Sequence, residues 1–235
     1  MRSFLGFLVF IATLVAVMAA FAVPALVSPL VVSAVRSASP FGDQPLDVEV
    51  DVDAISLARG FVREIRISGA DLASDGVLVG LLDVTLQGVS IGDHGFVDAG
   101  GSLEAVDVGL PDGSSIRVSS VALSGPSTAV TALASLDPAE AARLIEAALA
   151  DAGLQLDAVT LVDGGFALNV FGQRAEVGLV VIDGALVVPS LLGLSSVPVL
   201  QPQPGDAWRV IKVSVDPGGL QIEARVDVAR LIATD

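Results

Sequence analysis

Apolar and polar residues alternate along most of this chain beyond residue 45. Leu46-Asp47-Val48-Glu49-Val50-Asp51-Val52 keeps a strict period of two, which on a pleated strand sends apolar side chains to one face and acidic ones to the other. Half-alternating runs of the same kind occupy 62–68, 77–91, 103–110, 115–123, 156–162, 166–171, 174–181, 208–215 and 220–228. Asp75-Gly76, Asp112-Gly113, Asp163-Gly164 and Asp183-Gly184 fall between them, and Asp216-Pro217-Gly218-Gly219 lies near the end. Asp and Gly tolerate positive φ, so these pairs favour tight hairpins, and they leave no room for the dozen or more residues of a parallel crossover. The expected sheet is an antiparallel meander.

One segment breaks this rhythm. Asp137 is placed to cap a helix, Pro138 suits its first position, Glu140 completes a capping-box-like arrangement and Gly153 is placed to end it. Ala141, Leu144, Ile145, Ala148, Leu149 and Ala152 follow the i, i+3, i+4, i+7 spacing, with Glu140, Arg143 and Asp151 opposite, so the helix should lie on the sheet. A shorter helical turn is expected over 54–60. Residues 189–200 are apolar but interrupted by Gly193 and Pro198, and the pattern leaves their state open.

Before residue 45 the pattern changes again. Phe4 to Val23 contains no charge, and twenty helical residues at ~1.5 Å each match the ~30 Å of a bilayer core. Arg2 precedes this run and every acidic residue follows Gly42, so the positive-inside tendency puts the remainder outside the cytoplasm. Ala20-Phe21-Ala22 also fits a signal-peptidase site. An uncleaved anchor, a cleaved signal and a buried soluble helix all stay open, the anchor being favoured by the length of the run. Three regions result: 1–36 as membrane anchor or signal segment, 37–45 as a Pro-, Gly- and Ser-containing linker, and 46–235 as a β-rich domain.

Charge and composition narrow the function by exclusion. Lys and Arg number 12 against 27 Asp and Glu, a formal net charge of −15 over 235 residues, and 53% of the residues are hydrophobic. Disorder requires the opposite balance of hydrophobicity, and nucleic acid requires a basic footprint that this chain lacks. Cysteine is absent and His94 is the sole histidine, which removes disulfides, thiolate chemistry and any multi-histidine metal cage. No G-x-S-x-G elbow, P-loop or G-x-G-x-x-G occurs. His94, between Asp93 and Gly95, reads as a surface turn residue. The ladder Asp47, Glu49, Asp51, Asp53 has oxygen ligands on one face for a hard cation, but a solvated strand face accounts for it without further ligands. Trp208, the only tryptophan, reads as a strand-end core residue or as part of an apolar rim touching lipid. No enzyme chemistry and no cofactor is expected.

Three stretches carry a resemblance: "VTLVDGGFALNV" from Val159, "EVGLVVIDGALVVPSLLG" from Glu176 and "IKVSVDPGGLQIEARVDV" from Ile211. With the lone helix before them, residues 46–230 resemble the LmeA-like phospholipid-binding family of bacterial envelope proteins. The resemblance implies an α+β fold of tubular-lipid-binding type, a strongly curved antiparallel β-sheet meander wrapped around the amphipathic helix, here preceded by an N-terminal hydrophobic helix. It implies a phospholipid or acyl-chain ligand held without covalent chemistry in an apolar groove. The expected lining is Leu144, Ile145, Ala148 and Leu149 on the helix with Phe166, Leu168 and Val170 on the strand after Asp163-Gly164. The membrane is met through the N-terminal helix, and oligomeric state is open. The rival expectation is a structural or protein-interaction module of the envelope with a filled core.

Overall fold

The computed structural model describes residues 41, 44–74, 76–91, 95–109, 114–154, 156–170, 172–189, 195–203, 205–228 and 230. The alternating runs form strands β1 (Asp47–Asp51), β2 (Phe61–Ser74), β3 (Val77–Ser90), β4 (Asp98–Gly109), β5 (Ser115–Gly125) and β6 (Val130–Leu136). They continue as β7 (Ala158–Val162), β8 (Gly165–Val170), β9 (Gln173–Gly178), β10 (Val180–Ile182), β11 (Ala185–Val188), β12 (Val197–Leu200), β13 (Trp208–Asp216) and β14 (Gly219–Val226). Two helices interrupt them, α1 (Ala54–Ala58) and α2 (Pro138–Asp151). Every strand pair is antiparallel. The strands form an eight-stranded sheet in the order β1-β2-β3-β4-β5-β6-β14-β13 and two three-stranded sheets, β7-β8-β9 and β10-β11-β12.

This corrects the expected α+β class. The described residues are predominantly antiparallel β with two short helices, and among them no single curved sheet wraps α2. The helix lies instead against strands of all three sheets, β5 and β14 of the large one and β7 and β12 of the small ones. Nor is the sheet a simple meander: β14 returns from the end of the chain to pair with β6, Leu220 opposite Leu136 and Val226 opposite Val130. Among the described residues no helix is long and apolar enough to cross a membrane. The expected N-terminal hydrophobic helix lies outside them, as do His94 and Asp112-Gly113.

Local signals decide the helix ends. At the C-terminus of α2, Gly153 adopts φ +86°, its N–H donates to the Ala150 carbonyl, and the Leu154 N–H donates to the Leu149 carbonyl. This double closure satisfies carbonyls that the last turn would otherwise leave bare. At the N-terminus the capping box does not form. The Asp137 carboxylate accepts from the Ser119 hydroxyl at 2.9 Å, and Glu140 accepts from the backbone N–H of Arg117, so both carboxylates tie the helix to β5.

A crease crosses the large sheet. Buried positions change parity from Ile67 to Leu72 in β2, Val79 to Leu82 in β3, Leu103 to Val106 in β4 and Val118 to Val121 in β5. The intervening Asp71, Gly80, Ala105 and Ser119 fall in one row, where the pairing ladder is interrupted without any change of register. Asp71 and Ala105 have positive φ there, +53° and +51°. A Cβ on Gly80 would lie 3.0 Å from that of Ala105, so glycine is what lets the strands close at this row. Each of four neighbours carries one extra residue, and the inner face stays apolar on both sides of the fold line.

The outer edge of β13 is not bare. The Val210 N–H donates to the Gly184 carbonyl at 2.8 Å, and the Gly164 N–H donates to the Val215 carbonyl at 3.1 Å. The Asp-Gly turns of both small sheets therefore cover the edge, one at each end, and remove it as a template for another chain. One continuous core joins all three sheets and α2.

Candidate functional site

The β13–β14 hairpin turns through Asp216, whose carboxylate accepts the Gly218 N–H at 2.7 Å. From that turn the register is regular as far as Lys212 opposite Glu223, then shifts, so that Val210 faces Ala224 and Arg209 faces Arg225. Ile211 is the extra residue of a β-bulge. Its effect is visible in the burial of β13, which runs through Val215 and Val213 on one side of the bulge and through Val210 and Trp208 on the other. Without the bulge Arg209 would share the inward parity of Val213 and Val215. With it, two exposed guanidinium side chains stand directly across from each other on the outer face.

They border a cleft of about 900 Å³ between this hairpin and the β10-β11-β12 sheet. Ile182, Ala185, Val187, Pro198, Ala207 and Trp208 supply its apolar wall. Arg209, Arg225 and Arg230 supply cations, and Asp183, Asp206 and Asp227 carboxylates. Two of these carboxylates hold nearby backbone: Asp206 accepts the Gln203 N–H at 2.7 Å and Asp227 the Arg230 N–H at 3.0 Å. Among the described residues, no carboxylate forms an ion pair with Arg209 or Arg225. A Cβ on Gly184 would come within 2.8 Å of the Arg209 Cβ, so the β10–β11 turn rests on that arginine's stem and fixes one side of the cleft. Asp183 and Gly184, at φ +51° and +81°, form the tight turn their sequence predicts.

Trp208 opens β13 and is 4% exposed, as a strand-end core residue should be, while also lining the cleft. Its Nε1–H is buried and meets no acceptor among the described residues.

The residues expected to line a groove lie elsewhere. Leu144, Ile145, Ala148 and Leu149 on α2 and Phe166, Leu168 and Val170 on β8 are brought together, but inside the core, each at most 5% exposed. None lines this cleft or the smaller one of about 440 Å³ beside Pro45, Leu46 and Leu81. Their period marked a buried face correctly; it contains nothing that separates a packed face from a lining one. The arginine pair escaped the reading because a regular hairpin from Asp216 would set Arg209 against Val226. The signal that finds it is the parity break between Val210 and Val213.

The acidic ladder also resolves into separate parts. Asp51 pairs with Arg63 at 3.4 Å, and Asp53 caps α1 by accepting from the Ile55 and Ser56 N–H groups and the Ser56 hydroxyl. Among the described residues no three His, Cys, Asp or Glu side chains gather closely enough to hold a metal ion. No family model, curated protein or solved structure matches this chain.

Proposed function

We propose that the protein is an envelope binding module that takes a phospholipid or acyl-chain ligand, without covalent chemistry, in the cleft between the β13–β14 hairpin and the β10-β11-β12 sheet. The observation that carries this reading is the cleft itself: about 900 Å³, with an apolar wall running from Ile182 to Trp208. That volume falls in the range of small-molecule sites, ~300–1,000 Å³. Each CH₂ transferred from water to such a wall contributes ~0.8 kcal/mol, so chain length governs affinity. The envelope location rests on the uncharged run from Phe4 to Val23.

One observation favours a ligand-free interaction module instead. The face expected to hold chains, from Leu144 to Val170, lies buried in the core cluster. Native mass spectrometry of the gently released full chain, with organic extraction, separates the two readings. A stoichiometric acyl ligand is the expected result. A bare mass that stays bare after incubation with phospholipid vesicles overturns the ligand reading in favour of the module.

A further inference from the structure

We infer that Arg209 and Arg225 form an oxyanion subsite that takes the phosphate group of an anionic amphiphile. This deepens the ligand reading above and rests on it for the apolar half of the ligand. Directly opposed residues of an antiparallel pair stand ~5 Å apart, and like charges so placed repel. The chain has 12 basic residues against 27 acidic ones, yet it spends two arginines on one such pair. Five of the remaining arginines are matched: Arg63, Arg66, Arg117, Arg143 and Arg174 each meet a carboxylate within 4 Å. Among the described residues Arg209 and Arg225 meet none.

The arrangement is built by the backbone. The Ile211 bulge turns Arg209 outward into register with Arg225, and the Gly184 turn closes against the Arg209 stem. Bulges of this kind recur beside binding sites because they re-aim a side chain. A phosphate oxygen bridging two planar guanidinium forks neutralises the repulsion and accepts several charge-assisted hydrogen bonds, a geometry that one arginine or a lysine does not offer. Asp206 and Asp227 hold backbone turns at the rim, and Asp183 sits in the tight turn. A ligand with its phosphate on the pair has the wall of Val187, Pro198 and Trp208 beside it for a chain.

Trp208 is the sole tryptophan and lines the cleft, so its emission reports occupancy of the full chain without a label. Octyl phosphate, octyl glucoside and inorganic phosphate are titrated in turn. The expected result is a response to octyl phosphate at roughly tenfold lower concentration than to octyl glucoside, with inorganic phosphate competing weakly. The R209Q/R225Q double variant is expected to lose that preference while still answering octyl glucoside, which also shows that it is folded. Should the double variant not fold, R225Q alone is expected to narrow the preference. Lys212→Gln removes a charge from the same strand outside the cleft and is expected to keep it. Equal responses to the two octyl compounds overturn the subsite and leave chain binding standing. A response to both phosphates alone, abolished by R209Q/R225Q, supports the subsite and overturns chain binding. Silence toward all three overturns both.

Discussion

Asp53 and Asp83 show how single carboxylates are used on this surface. The Ser56 hydroxyl, at 2.6 Å, and then the Ser56 N–H hold the Asp53 carboxyl below its ordinary value of 3.8. The fork of Arg66, bonded at 3.0 and 2.8 Å, does the same for Asp83 on the neighbouring strand. A carboxylate depressed by folding stabilises the native state above its unfolded pKa, and that contribution disappears as pH falls through the lower folded value. Thermal midpoints are therefore expected to be insensitive to these two groups near neutrality and to fall below about pH 4. The D53N/D83N variant, in which the side-chain amide oxygen at position 53 can still cap α1, is expected to show a shallower acid fall; an unchanged profile would remove both residues from the account. Arg209 and Arg225 belong to the other category of surface charge, set against each other by the backbone. No single-residue rule flags them, because each looks like an ordinary outward arginine until the bulge between them and the turn is placed.

Among the elements, hairpins were the easiest to read and the crease the hardest. Asp163-Gly164 and Asp183-Gly184 form the expected turns, and α2 begins at Pro138 and ends before Gly153, because caps and turns are written into a few adjacent residues. The crease is different: the period-two template fails separately in β2, β3, β4 and β5, and only their pairing shows that the four failures are one row. The expected wrapped α+β arrangement failed for a related reason, since local alternation carries no information about which strand returns to pair with β6. Deleting Gly80 tests the crease. β3 alone would then alternate regularly, and everything beyond the deletion would fall one residue out of register with the creased β2 and β4, so that keeping the present pairing would turn Asp83 and Gln87 inward in place of Leu82 and Leu86. The penalty is expected to match the whole stability of a domain, ~5–15 kcal/mol, and to abolish the cooperative transition seen by circular dichroism. A deletion variant that still melts cooperatively near the parent would show that the inserted residues are not coupled.

At the scale of the whole molecule the central fact is a single core spanning three sheets. Phe166 is fully buried in it, and Phe→Ala at such a site costs about 3–5 kcal/mol through lost burial and a residual cavity. Phe166→Ala is expected to lower the stability read from the denaturant midpoint by that amount and to leave the Trp208 titration with octyl phosphate unchanged, since the two sites share no residue. A shifted titration in still-folded protein would tie β8 to the proposed cleft. The placement of β14 between β6 and β13 has a further consequence, in time rather than in space. Strands β1 to β6 can zip together as they emerge, but the edge of β6 waits for a partner more than eighty positions further along the chain. Closure across such a separation is slow, and an unfinished edge invites other chains in the interval. The last strands to arrive also carry both arginines, so the cleft is born complete or not at all. The proposed cleft is thereby completed in the same step that closes the edge of β6.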